Sequence, residues 1–313
     1  MSLRQDLRTV SRGWRWGRTP LVPASAQAHR PALEAREFPT TWARSPAAVA
    51  VRTAVQRVGL APLVRSQVAV RTTGTEVLRD LRGPVVFVAN HSSHLDAPLI
   101  LTTLPERWRR QVAVAAASDY FFDTWARGIG STMAFSTFPM ERRGGGASGT
   151  TLATDLLLEG WSVLVFPEGT RSSDGWAGEF RRGAALLAMA GRVPVVPIAI
   201  RGSFPAMPRG RGWPVPGRPP VRVRYGQPIR PAADEDAAGF TARIAVEVGR
   251  LGDEDATDWY ASMRRSVEGT GPLTAAPEGA RWRRVWAATE PPAVTRGAAR
   301  RSPWAGWSDS AQR

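Results

Sequence analysis

The sequence predicts an α/β fold: a single layered α/β domain with a largely parallel central sheet flanked by helices, and flexible tails at both ends. Three observations carry this expectation. The strand-length runs PVVFVA, WSVLVF and VPVVPIAI are near-continuously apolar rather than alternating, which suits strands covered on both faces. Segments of helical character separate these runs, as crossover connections between parallel strands require. At both ends of the chain the alternation stops, and arginine, proline and alanine take over.

The elements follow in order. Residues 1–44 carry eight arginines against Asp6, Glu34 and Glu37 and show no sustained periodicity, so they read as a flexible basic segment. Trp14, Trp16 and Trp42 lie among those arginines and could touch a membrane interface. Ser45-Pro46 reads as a helix N-cap with proline at the first helical position. Val51, Val55 and Val58 share one face of that helix, and Gly59 is the expected stop. A short strand is expected near Gln67 to Arg71. PVVFVA is a buried strand, and Asp96 to about Thr103 starts a helix. QVAVAAAS is a strand, with a helix around Phe122 to Gly128. FSTFPM is a short strand or extended loop. Ser148 to Glu159 is helical, with Ser148 as cap and Gly160 as stop. WSVLVF is a strand, FRRGAALLAMAG a helix, and VPVVPIAI and VRVRYG are strands. Two polar helices, about Glu235 to Leu251 and Ala256 to Val267, close a domain spanning 45–268. Residues 269–313 hold seven arginines against Glu278, Glu290 and Asp309 and are expected to be a disordered basic tail.

Bulk chemistry narrows the function. The 313 residues include no cysteine, so disulfides, thiolate catalysis and zinc-thiolate sites are excluded. They include no lysine either; all 42 basic residues are arginine. Lysine Schiff bases and P-loop lysines are therefore impossible. The net charge of +15 suits an anionic partner: nucleic acid, anionic lipid or a phosphorylated substrate. No uninterrupted run of 18 apolar residues occurs, so no transmembrane helix is expected. The basic N-terminus lacks the apolar centre of a secretory signal.

Three polar clusters stand where strands should end, which is where α/β sheets gather ligands. They are NHSSHLD after PVVFVA, FPMERRGGG after FST, and FPEGTRSSDG after SVLV. His91 and Asp96 are five apart. On a regular helix they would stand about 140° apart and not meet, but across a strand-to-helix turn they can. A carboxylate on one imidazole nitrogen fixes the tautomer and leaves the other nitrogen to take a proton. Taken alone, NHSSHLD could equally be a helix cap. A metal site is a third reading, but His29 lies in the basic segment and no HExxH spacing exists. Arg142 and Arg143 offer planar forks suited to phosphate, or else form a solvated charge run.

Together these clusters resemble the glycerolipid acyltransferase superfamily, and within it the 1-acylglycerol-3-phosphate acyltransferases. NHSSHLD is similar to the HxxxxD block, with His91 and Asp96 at its fixed positions. FPMER matches the second block at Arg142. FPEGTRS matches the third at Glu168, Gly169 and Arg171, and VPVVPIAIRG the fourth around Pro197. Many relatives carry F-K-K-G after the third block; here it is FRRG, Phe180 to Gly183, which leaves the shape of the headgroup site open.

The resemblance implies transfer of a fatty acyl group from acyl-CoA or acyl-carrier protein to a hydroxyl of a phosphorylated glycerol, with His91 as base and Asp96 as its orienter. Arg142, Glu168, Gly169, Thr170 and Arg171 are the implied acceptor site. Glu168 is expected to orient an arginine or to bond a glycerol hydroxyl, and His94 to be a neighbour only. No metal and no cofactor is implied; the acyl thioester is a co-substrate. The expected setting is cytoplasmic and peripheral, on the anionic inner face of the cell membrane. Another acceptor, such as glycerol-3-phosphate or a lyso-aminolipid, is the alternative within the class. A non-catalytic nucleic-acid or membrane-surface binder is the alternative outside it, although no nucleic-acid motif is evident.

Overall fold

The computed structural model describes residues 40–117, 125–140, 147–172, 175–208 and 211–269. Most of both expected tails lies outside these residues. So do Arg142, Arg143 and the glycines that follow them.

Seven strands form one sheet. They are β1 Ala69–Thr73, β2 Val86–Ala89, β3 Val112–Ala117, β4 Thr137–Met140, β5 Ser162–Val165, β6 Val195–Arg201 and β7 Pro220–Tyr225, in the spatial order β1-β7-β6-β2-β5-β3-β4. Five of the six neighbour pairs are parallel; β6 and β7 are antiparallel. β1 and β7 therefore run against the other five. The sheet is largely parallel, as the apolar runs predict.

Side-chain alternation along β2 divides the interior into two layers. Phe87 and Ala89 face one cluster, with Leu99, Leu164, Ile198 and Val221. Val86 and Val88 face the other, with Phe138, Leu156, Leu187 and Phe240. Each fully buried Val, Leu, Ile or Phe among them contributes about 1.5–3 kcal/mol relative to exposure.

The first helix departs from expectation. Helix α1 runs Pro46–Gln67 without stopping at Gly59. Its N-cap is Ser45, whose Oγ accepts from Ala48 N–H at 3.3 Å, as the Ser-Pro signal predicts. The middle, Val55–Leu60, widens to a π turn before α geometry resumes at Ala61–Gln67. Pro62 explains the widening, since a proline inside a helix lacks one amide donor and crowds the preceding turn. Gly59 lacks the positive φ of a C-terminal cap. Ala61 and Val64 enter the core, while Val51, Val55, Val58 and Leu63 are exposed. By length and composition α1 is the one described helix able to cross a membrane. Counting uninterrupted apolar residues misses this, because Arg52, Thr53, Gln56 and Arg57 break the run. One face of α1 nonetheless packs on the domain: Gln56 donates to Ala134 C=O at 2.9 Å, and buried Arg52 donates to Ala43 C=O at 2.8 Å.

Helix α2, Asp96–Thr103, stands where expected. A short α3, Glu106–Arg110, and a single turn, Thr75–Leu78, carry no clear sequence signal. The helix expected at Phe122–Gly128 is instead α4, Trp125–Phe135, and residues 118–124 lie outside the described ones. Helix α5 is Ala147–Leu158, beginning before the expected cap Ser148. Helix α6 is Gly183–Ala190, so Phe180 to Arg182 precede it rather than open it. A single-turn α7, Ser203–Ala206, follows β6. Helix α8, Ala237–Ala256, runs five residues past the expected end at Leu251; Asp236 caps it by accepting from Gly239 N–H at 2.7 Å. Helix α9 is Trp259–Val267, capped by Asp258.

Pro197 sits inside β6, an unusual place for proline. Its neighbours resolve this. Val195 N–H donates to Ile229 C=O and Pro197 C=O accepts from Gly226 N–H, both at 2.8 Å. The missing N–H thus faces the stretch between Gly226 and Ile229, where β7 has already ended.

Candidate active site

β2 lies between β6 and β5, so the turns leaving these three strands are adjacent at one end of the sheet. The chain crosses to opposite sides of β2 for β5 and β6, which makes this end a topological switch point. The first and third polar clusters leave β2 and β5 there. The second leaves β4 at the sheet edge, and its Arg142 lies outside the described residues.

The turn after β2 is built by its own small polar residues. Asn90 bonds Ile200 in both directions: its amide donates to Ile200 C=O at 3.0 Å and its carbonyl accepts from Ile200 N–H at 2.8 Å. This side chain continues the β2–β6 ladder by one rung. Ser92 Oγ lies 2.9 Å from Ser203 Oγ, and Ser93 Oγ donates to Met207 C=O at 2.8 Å. These residues fasten the turn to α7.

His91 and Asp96 meet. Asp96 Oδ2 lies 2.9 Å from His91 Nδ1 and also accepts from Ser92 N–H at 2.7 Å and Ser93 N–H at 2.8 Å. Asp96 is fully buried, while the His91 side chain is partly open. The ring of His91 stacks on Phe166, with centroids 4.2 Å apart and planes at 25°. Three bonds fix the carboxylate, the carboxylate fixes Nδ1, and Nε2 is left to handle a proton.

The FPEGTRS loop grips the same histidine by its backbone. Glu168 Oε1 accepts from His91 N–H at 2.6 Å, and Ser172 N–H donates to His91 C=O at 2.8 Å. Glu168 Oε2 accepts from Gly178 N–H at 2.9 Å. Each carboxylate oxygen of Glu168 thus holds a backbone amide. Burial raises the Glu168 carboxyl above the usual range, and the bonds from Gly178 and His91 pull it back in part.

Gly169 has φ 71°, and a Cβ there would come within 3.0–3.1 Å of the Arg181 guanidinium. Glycine thus permits both the turn and the close approach of an arginine. Arg181 is the first arginine of the FRRG stretch. Thr170 is exposed and Arg171 half-buried on this loop. Burial first, then the electrostatic influence of Arg171 and of His91, holds the His94 imidazole down at about 4, with Asp96 opposing. His94 is thus neutral at pH 7 beside an arginine. Among the described residues no three His, Asp or Glu side chains converge as a metal cage would.

The geometry brings His91, Asp96, Glu168, Gly169 and Arg171 to one end of the sheet. The sequence offers Asn90 with Ser92 or Ser93 as helix caps and Ser172 as a hydrogen-bonding turn residue, but does not show that they fasten the turn to distant segments. Each acts through backbone groups distant in sequence, and no residue pattern signals such partners.

Comparisons with known proteins find acyltransferases. The profile of the Acyltransferase family matches residues 69–201. The chloroplastic 1-acyl-sn-glycerol-3-phosphate acyltransferase of Brassica napus is 34% identical over 141 residues, covering 44% of this chain and 38% of the plant protein. The alpha form of 1-acyl-sn-glycerol-3-phosphate acyltransferase from Mus musculus is 34% identical over 144 residues, covering 45% of this chain and 48% of the mouse protein. The chain thus spans half or less of the length of these relatives. In fold it is similar to the crystal structure of the 1-acyl-sn-glycerophosphate acyltransferase PlsC from Thermotoga maritima, with a TM-score of 0.52 and 24% identity over 66% of this chain and 82% of that one. Over residues 69–201 the chain is thus similar to the Acyltransferase family, along a stretch that includes both the turn of His91 and Asp96 and the FPEGTR loop.

Proposed function

We propose that this chain is an O-acyltransferase that moves a fatty acyl group from acyl-CoA or acyl-carrier protein to the free hydroxyl of 1-acylglycerol-3-phosphate, giving phosphatidic acid. The observation that carries the reading is the 2.9 Å contact between His91 Nδ1 and a fully buried Asp96, at the mouth of the sheet and beside the FPEGTR loop. His91 Nε2 takes the acceptor hydroxyl proton as the oxygen attacks the thioester carbonyl carbon. Asp96 holds the tautomer and stabilises the imidazolium. The tetrahedral intermediate collapses, the C–S bond breaks, and the imidazolium returns its proton to the departing thiolate. No acyl-enzyme is needed, because the acceptor oxygen is itself the nucleophile. The scheme uses no metal or organic cofactor. Arg142 and Arg171, with the backbone at Gly169 and Thr170, are the groups assigned to the acceptor phosphate. The setting assigned is peripheral, on the cytoplasmic face of an anionic membrane.

Acyl transfer by purified protein, from a panel of thioesters to a panel of acceptors, tests the reading. Lysophosphatidic acid is expected to be acylated; transfer only to non-phosphorylated acceptors would overturn the acceptor assignment. His91→Ala is expected to lose about 10²-fold or more in kcat with folding kept. Unchanged turnover would return the chain to the non-catalytic reading.

A further inference from the structure

The loop between α7 and β7, residues 207–219, holds three arginines and no carboxylate. The helix α1, Pro46–Gln67, also has none. The two meet: Trp213 Nε1 donates to Gln67 Oε1 at 3.0 Å. Gln67 and Leu63 are four apart, so they share a face of α1. Trp213 and Leu63 are both exposed, and exposed Arg65, Arg211 and Arg218 accompany them. Gly217 and Arg218 have φ of 95° and 50°. Two consecutive left-handed residues make a tight turn, with an arginine in a conformation that favours glycine.

Topology fixes where this surface lies. β6 ends at Arg201 at the same end of the sheet at which β2 delivers His91, because β2 and β6 are parallel. β7 runs back from that end, and β1 starts beside it, with Ala69 opposite Pro220. Gln67 and the loop therefore sit at the catalytic end. The root of the loop touches the catalytic turn, through Ser93 Oγ and Met207 C=O.

We infer that Trp213, Leu63, Arg65, Arg211 and Arg218 form the surface that docks this end of the domain on an anionic lipid bilayer. The indole suits the interface between headgroups and acyl chains, with its polar N–H held and its ring exposed. The arginines meet lipid phosphates with no carboxylate in the loop to oppose them. The occupant argued for is the bilayer, because exposed tryptophan and leucine need an apolar partner as well as a charge.

The inference rests on the reading of the acceptor as a membrane lipid, but its test uses binding and no turnover, so the two can fail separately. The full chain is sedimented with phosphatidylcholine vesicles, with and without phosphatidylglycerol. Phosphatidylglycerol is expected to raise partitioning of the parent. The double variant Arg211→Ala/Arg218→Ala is expected to lower it by about thirtyfold on anionic vesicles, each arginine near an anionic surface contributing about fivefold. Trp213→Ala is expected to weaken binding to both vesicle types. The arginine pair is exposed and reports independently should the tryptophan variant alter folding. Folded variants that partition like the parent would overturn the inference. So would variants that keep vesicle binding but lose transfer from acyl-carrier protein alone, which would make the surface a dock for an acidic protein.

Discussion

His91 is held at ring and backbone together: Nδ1 by Asp96, N–H by Glu168, C=O by Ser172, with Phe166 under the ring. The His91–Asp96 pair was legible in the sequence because both ends of the contact are side chains of types that signal proton transfer. The part played by Glu168 was not, because its partners are backbone amides 77 and 10 residues away. A glutamine in its place would keep one acceptor oxygen and turn an amide NH2 toward the other backbone N–H. Glu168→Gln is expected to cost about 1–3 kcal/mol in urea unfolding and to lower kcat more than it raises KM. A folded variant with unchanged kcat would remove Glu168 from the positioning of His91. The pH dependence belongs at this scale too. His94 titrates at about 4 in the fold against an ordinary 6.5, so the unfolded chain binds the extra proton between those values. Its contribution to stability is therefore present above pH 6.5 and is lost as pH falls toward 4. Glu168, raised by burial, works the other way, since its contribution is lost as pH rises through its folded value. The difference between parent and His94→Gln isolates the first: the variant should lose less stability on acidification from pH 6.5 to 4. Parallel curves would remove His94 from the acid response.

Among the elements, strands were read more securely than helix ends. A strand covered on both faces is near-continuously apolar, and PVVFVA and WSVLVF declare themselves. Helix ends depend on what the neighbouring turns pack against. Gly59 has the composition of a stop and lies in the middle of α1, with nothing within 4 Å of where its Cβ would be. Gly59→Ala is expected to raise stability by about 1 kcal/mol, the ordinary gain of alanine over glycine in an exposed helix, measured by thermal or urea unfolding. A loss of that size would restore Gly59 as a helix end. The single-turn α7 was invisible because SFPAM has no periodicity to read. Its place is fixed by Ser92 and Ser93, more than 100 residues earlier.

At the scale of the whole molecule, the α/β class followed from alternation, but the strand order did not. Nothing in the residues of β7 states that it runs against β6 and beside β1. That reversal is set by the loop of 207–219 and by the pairing of Ala69 with Pro220. The convergence of the first and third polar blocks was legible as far as each follows a strand; that β2 and β5 are neighbours is a property of the sheet. The double grip on the peptide groups of His91 carries a dynamic consequence. The turn after β2 cannot swing out unless the loop after β5 lets go, so the two form one opening unit. In hydrogen exchange, the amides of His91, Ser92, Ser93, Ser172 and Gly178 are expected to share a single opening free energy. Separate values for the two loops would show that they part independently. Joined as they are, they would present the proposed acceptor with a base already assembled, and release of the proposed product would need another moving part than this turn.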